Sequence, residues 1–166
     1  MNGLRSCLLA LALLVCPTAF ANSDEAEYAI NGKHFDALDQ PTYKVNPNGS
    51  VDWYTANGFQ AYHRSCHSCH GPNGAGSDYG SALTKAVTTL RHFDFTDVVV
   101  NGQITRLGGQ ARVMPAFGTN PKVMCRLDAI YVYLRAEAAG VLKTEKPLVS
   151  TADPDAIADL GACLAQ

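Results

Sequence analysis

Cys66-His67-Ser68-Cys69-His70 is the stretch that decides how the rest of the chain is read. Two cysteines two residues apart, with a histidine directly after the second, supply two thiols that can add across the vinyl groups of a haem. They also supply an imidazole to hold against one face of its iron. A structural zinc knuckle or a redox CxxC pair draws on the same residue types, and at the level of the motif alone both stay open.

Working outward, Gly71-Pro72-Asn73-Gly74-Ala75-Gly76 is a cluster of helix and strand breakers and reads as loop, with backbone free to pass close to a large flat ligand. Further on comes Val113-Met114-Pro115-Ala116-Phe117-Gly118, in which Met114 is the candidate second axial ligand. A thioether opposite histidine favours ferrous iron and fills the sixth position, which suits electron transfer and leaves no open site for a substrate. Pro115 holds the backbone at Met114 extended, so the side chain can project from a loop. Met124, the rival once Met1 is removed, falls on a periodic apolar stripe and reads as packing. His34, His63, His67 and His92 read as surface or hydrogen-bonded histidines, and Trp53 as ordinary packing.

The periodicity predicts a helix over 52–65, with Phe59, Tyr62 and Cys66 on one face. Gly58 interrupts it and marks a close crossing with another helix. A short helix is expected over 83–90, and a loop over 102–109. The longest helix is expected over 121–138, capped by Asn120, with Met124, Leu127, Ile130, Tyr131 and Leu134 as its apolar stripe. That stripe should meet the first helix at Gly58. Beyond Gly140, Asp153-Pro154 opens a short helix carrying Cys163.

At 166 residues the chain reads as one domain behind an export signal. Arg5, the apolar run 8–15 and Ala19-Phe20-Ala21 make residues 1–21 a signal peptide. No stretch approaches the roughly 20 apolar residues of a membrane span, so no stable membrane anchor is expected. Export leaves Cys66, Cys69, Cys125 and Cys163, enough for two to hold haem and two, Cys125 and Cys163, to pair. Residues 22–52 carry six acids and two lysines, a net −4, and read as an irregular arm broken by Pro41, Pro47 and Asn48-Gly49. Residues 53–146 carry ten basic and six acidic groups, +4, and residues 147–166 three acids, −3. A basic centre between acidic flanks can steer a partner.

Residues 53–138 resemble the class I c-type cytochromes. The matching features are Gly58 with Tyr62, Cys66 to His70, the glycine-rich 71–76, Val100-Asn101-Gly102, Met114 to Gly118, and Tyr133-Leu134-Arg135. The resemblance implies an all-α fold, a small helical bundle around one covalently bound haem c, with irregular N- and C-terminal extensions. It implies that Cys66 and Cys69 carry the haem, that His70 is the proximal ligand and Met114 the distal one, and that a backbone carbonyl near Ser81 orients His70. It also implies a helix over 95–100, with Thr96 as cap and Gly102 as stop, although Val98-Val99-Val100 alone favours strand. The expected units are 22–52 as extension, 53–140 as cytochrome domain, and 141–166 as extension tethered through Cys125 and Cys163. At full length the chain is similar to the four-cysteine c-type cytochromes associated with methanol metabolism in the periplasm of Gram-negative bacteria. That likeness implies a quinoprotein methanol or alcohol dehydrogenase as donor, a further cytochrome or oxidase as acceptor, no nucleic-acid partner, and no enzymatic activity.

Overall fold

The computed structural model describes residues 24–107, 109–142, 146–149 and 153–166, so the signal-peptide reading over 1–21 lies outside them. The arm is not irregular. It forms strands β1 (Tyr28–Ile30), β2 (Lys33–Phe35) and β3 (Pro41–Thr42) in an antiparallel sheet of order β1-β2-β3. Asn31 (φ 48°) and Gly32 (φ 72°) make a two-residue turn between the first two strands, the geometry that Asn-Gly favours. Tyr28 stacks on Phe35 across the pair, ring centroids 5.1 Å apart.

Asp52 then starts helix α1 (Trp53–Ser65). Its carboxylate accepts from the Thr55 amide (3.0 Å) and hydroxyl (2.5 Å) and from the Lys44 amide (2.8 Å), so the cap also holds the arm to the helix. After a one-turn helix α2 (His67–His70) and a 3-10 turn at Pro72–Gly74 comes α3 (Leu83–Ala86), shorter than the span 83–90. The Thr88 and Thr89 hydroxyls donate back to the Lys85 and Ala86 carbonyls (2.8 and 3.1 Å) and end it there.

Helix α4 (His92–Asn101) begins three residues before the expected 95–100. Thr96 is not its cap. The His92 amide donates to Gln40 Oε1 at 2.9 Å, a cap brought in from the arm that local sequence does not reveal, while the Thr96 hydroxyl lies inside the helix, buried and without a hydrogen-bond partner. Gly102 does end the helix. The loop expected over 102–109 is instead a hairpin, β4 (Gln103–Leu107) paired antiparallel with β5 (Gln110–Met114). Met114 therefore closes a strand.

The helix expected over 121–138 is two, α5 (Pro121–Met124) and α6 (Leu127–Ala138). Arg126 leaves the helical region at φ −122°, ψ 10°, and its guanidinium donates to the Lys122 carbonyl (3.3 Å). Asn120 caps α5 as expected, accepting from the Lys122 amide at 3.1 Å.

Helix α1 packs across α6 at Gly58, where a Cβ would sit 1.9 Å from the Ala129 carbonyl oxygen. Tyr62, Ile130, Tyr131, Tyr133 and Leu134 are almost wholly buried around this crossing, each contributing about 2 kcal/mol of hydrophobic stabilisation. The opposite side of α6 is covered too. Val132 and Ala136 pack with Tyr43 of the arm, and buried Arg135 donates to the Pro41 carbonyl (2.8 Å) and Asp36 (2.8 Å) and pairs with Asp24. Helix α7 (Pro154–Leu164) is capped by Asp153 and bound to α5 through the Cys125–Cys163 disulfide, Cα atoms 5.7 Å apart. The class I cytochrome c fold expected from the resemblance is what the helices build, with two small sheets added.

Candidate functional site

Helix α1 delivers Cys66 at its C-terminus, the Cys66 amide bonding the Tyr62 carbonyl at 2.8 Å, and the turn of α2 brings Cys69 and His70 round behind it. Both cysteines are free thiols, Cys66 half-buried and Cys69 exposed. Burial, with the neighbouring Cys69, pushes the Cys66 thiol up to about 11.

His70 is buried, and its Nδ1 donates to the Ser81 carbonyl at 2.8 Å. That bond fixes the tautomer and leaves Nε2 with its lone pair free for a metal. The carbonyl expected near Ser81 is thus Ser81's own. Gly80 makes the approach feasible, since a Cβ there would stand 2.7 Å from the Cys69 carbonyl oxygen and 2.9 Å from His70 Nδ1. Gly80 is a site residue that the motif pattern does not mark, because the close approach it permits exists only in the folded loop.

The loop 71–76 is tied to the core at several points. The Tyr62 hydroxyl donates to the Gly71 carbonyl (2.5 Å), the Tyr133 hydroxyl to Asn73 Oδ1 (3.1 Å), and the Gly76 amide to the His70 carbonyl (2.7 Å). Burial pushes the Tyr62 phenol up to about 12 and keeps it a donor.

Met114 is half-buried and packs against the main core cluster, as do Phe59, Leu83 and Phe117. Its loop is held to the end of α4, the Phe117 amide donating to the Val99 carbonyl (2.9 Å) and the Gly118 amide to the Val100 carbonyl (3.1 Å). The motif around Val100-Asn101-Gly102 therefore anchors the methionine segment.

The other histidines have local employment. His63 bonds the Phe59 carbonyl (2.9 Å), His67 packs against His63 with ring centroids 4.9 Å apart, and His92 bonds Asp128 (2.8 Å). His34 lies in β2, where burial lowers its pKa. Among the described residues no three His, Cys, Asp or Glu side chains converge as the ligands of an ion would. Two thiols, one imidazole nitrogen held free and a thioether on a separate segment fit a flat macrocycle gripped at several points, and this donor set fits a haem.

Comparison with known proteins agrees. Residues 55–134 match the family model of the cytochrome c oxidase, cbb3-type, subunit III. The chain is 44% identical over 117 residues to cytochrome c-553I of Paracoccus denitrificans, covering 70% of this chain and 52% of that one, so it spans about half that relative's length. It is 33% identical over 101 residues to cytochrome c-555 of Methylococcus capsulatus, covering 58% of this chain and 76% of the relative. The crystal structure of the c-type cytochrome XoxG from Methylobacterium extorquens AM1 superposes with a TM-score of 0.76 at 37% identity, covering 85% of this chain and 87% of that one. With the paired thiols, the oriented histidine and the helix crossing already in place, these matches make the chain a member of the c-type cytochromes.

Proposed function

We propose that this protein is a periplasmic mono-haem electron carrier, not an enzyme, with the cytochrome unit at 53–140 between two extensions and a cleaved signal over 1–21. Cys66 and Cys69 would hold the haem covalently, and His70 and Met114 would supply the ligands of its iron. When bound, the haem supplies one-electron cycling of iron between ferrous and ferric states. The observation that carries the reading is the His70 Nδ1 bond to the Ser81 carbonyl, which leaves Nε2 available to a metal. Met114, on a segment pinned to α4, would be the second ligand and leave no open position for small molecules.

The donor we propose is a quinoprotein methanol or alcohol dehydrogenase, and the acceptor another cytochrome or a terminal oxidase. The support is the full-length likeness: an acidic arm and a tail carrying the second member of the Cys125–Cys163 disulfide. Oxidation of an alcohol to an aldehyde releases two electrons and two protons, so two ferric carriers are consumed for each turnover.

The test is spectroscopic and kinetic. The long-wavelength ferric absorption band of a methionine–iron bond is expected in the wild type and absent in Met114→Ala. Rapid carbon monoxide binding by the wild type would instead indicate a labile ligand and a haem enzyme or gas sensor. Failure of a quinoprotein alcohol dehydrogenase to reduce the purified protein at micromolar concentrations would return the reading to a carrier of another respiratory chain.

A further inference from the structure

In the β4–β5 hairpin Ile104 stands opposite Val113, and Gln103 opposite Met114. Strand alternation therefore puts Ile104, Arg106, Ala111 and Val113 on one face, and Met114 on the other. The burial agrees: Met114 packs inward, whereas Ile104 is 68% and Val113 65% exposed.

A single exposed aliphatic is ordinary, but a cross-strand pair of them is a patch. Arg106, on the same face, is exposed and joins no ion pair among the described residues, whereas Arg112, opposite Thr105, stands on the Met114 face. The carboxylates that do form ion pairs, Asp24, Asp36 and Asp128, serve Arg135, Lys33 and His92 on the arm side of α6. An apolar centre bordered by arginine is the composition of a protein interface, and it calls for a partner with apolar centre and acidic rim.

We propose that the outer face of this hairpin, Ile104 and Val113 with Arg106 beside them, is the docking surface for an acidic redox partner. The inference rests on the electron-carrier reading. Val113 is bonded directly to Met114, so a partner seated on it lies one residue from the proposed axial ligand. A second copy of this chain is the poorer fit, since it would set arginine against arginine at the same face.

The experiment uses the full haem-loaded chain as wild type, Ile104→Ser and Arg106→Glu. Rapid-mixing rates of reduction by a quinoprotein alcohol dehydrogenase are measured at low and high salt, with ascorbate as a small reductant that needs no docking. The expected result is a second-order rate constant lower by about fivefold in Arg106→Glu at low salt, with a flattened salt dependence. Ile104→Ser should also slow, at either salt, while ascorbate rates and the methionine–iron band stay those of the wild type.

Wild-type reduction with variant rates within twofold overturns the docking face and leaves the donor intact. If the dehydrogenase fails to reduce even the wild type, the donor reading falls alone, and the same variants are compared for oxidation by a membrane cytochrome c oxidase under the same criterion. A wild type that exchanges electrons with neither protein overturns both, whereas a wild-type dimer in sedimentation that Ile104→Ser dissociates overturns the docking face alone.

Discussion

Gly58→Ala would drive a methyl group to within 1.9 Å of the Ala129 carbonyl oxygen, which belongs to a hydrogen-bonded helix and cannot swing away. The two helices must part, and a loss of about 3 kcal/mol is expected, read as a lowered denaturant midpoint of the haem-loaded protein. Arg135 shows the opposite hazard. Its guanidinium is buried with Asp36, which is 1% exposed, so Arg135→Leu strands a buried carboxylate and should cost about 3 kcal/mol or more in the same measurement.

Asp128 carries a pH dependence. Burial alone would raise its pKa, but hydrogen bonds from His92 and Lys33 outweigh that and bring it down to about 2. A carboxyl held below its unfolded value near 4 adds stability above that pH and loses it as the pH falls from about 4 towards 2. The side chain is 34% exposed, so solvent screening trims the contribution to about 1 kcal/mol. Asp128→Asn should unfold more easily than the wild type at pH 7, and the gap should close at about pH 2.

Among the elements, those that local pattern dictates were legible. Helix α1 carries its cap at Asp52 and its apolar residues at helical spacing, and Met124 to Leu134 carry the stripe of α5 and α6. Where the reading failed, a distant residue or a short local turn decided the outcome. Gln40 starts α4 from 52 residues away, which no window on 92–101 can show. The arm hides strands of three residues or fewer, too short for alternation to register, though Asn31-Gly32 was a usable turn signal. The β4–β5 hairpin rests on backbone pairing between strands whose exposed side chains give no core-facing pattern. At the site, the motif named His70 and both thiols, and Ser81 was placed to within its neighbourhood. Gly80 escaped because its need is steric and depends on how the loop folds back. Helix α7 belongs to the legible set, and its hold on the domain is covalent. The disulfide closes 38 residues, so Cys125→Ser/Cys163→Ser should lose about 4 kcal/mol on the chain-entropy estimate, seen as a lower melting temperature.

Across the whole molecule, charge and cover are arranged by the same segment. The acidic arm lies over α6, away from any role in the proposed haem contacts, and spends three of its charged groups, Asp24, Asp36 and Lys33, on pairs with α6. What remains of the central +4 is left on the other elements, the hairpin among them. The arm also walls in Val132 and Ala136, both wholly buried, through Tyr43 and Val45. A shortened protein beginning at Trp53 would keep both thiols, His70 and Met114, yet carry a water-facing greasy stripe with a bare guanidinium in its middle. Such a trimmed carrier should clump as its concentration rises, visible by light scattering, so what looks like a dispensable leader is the coat that keeps α6 soluble.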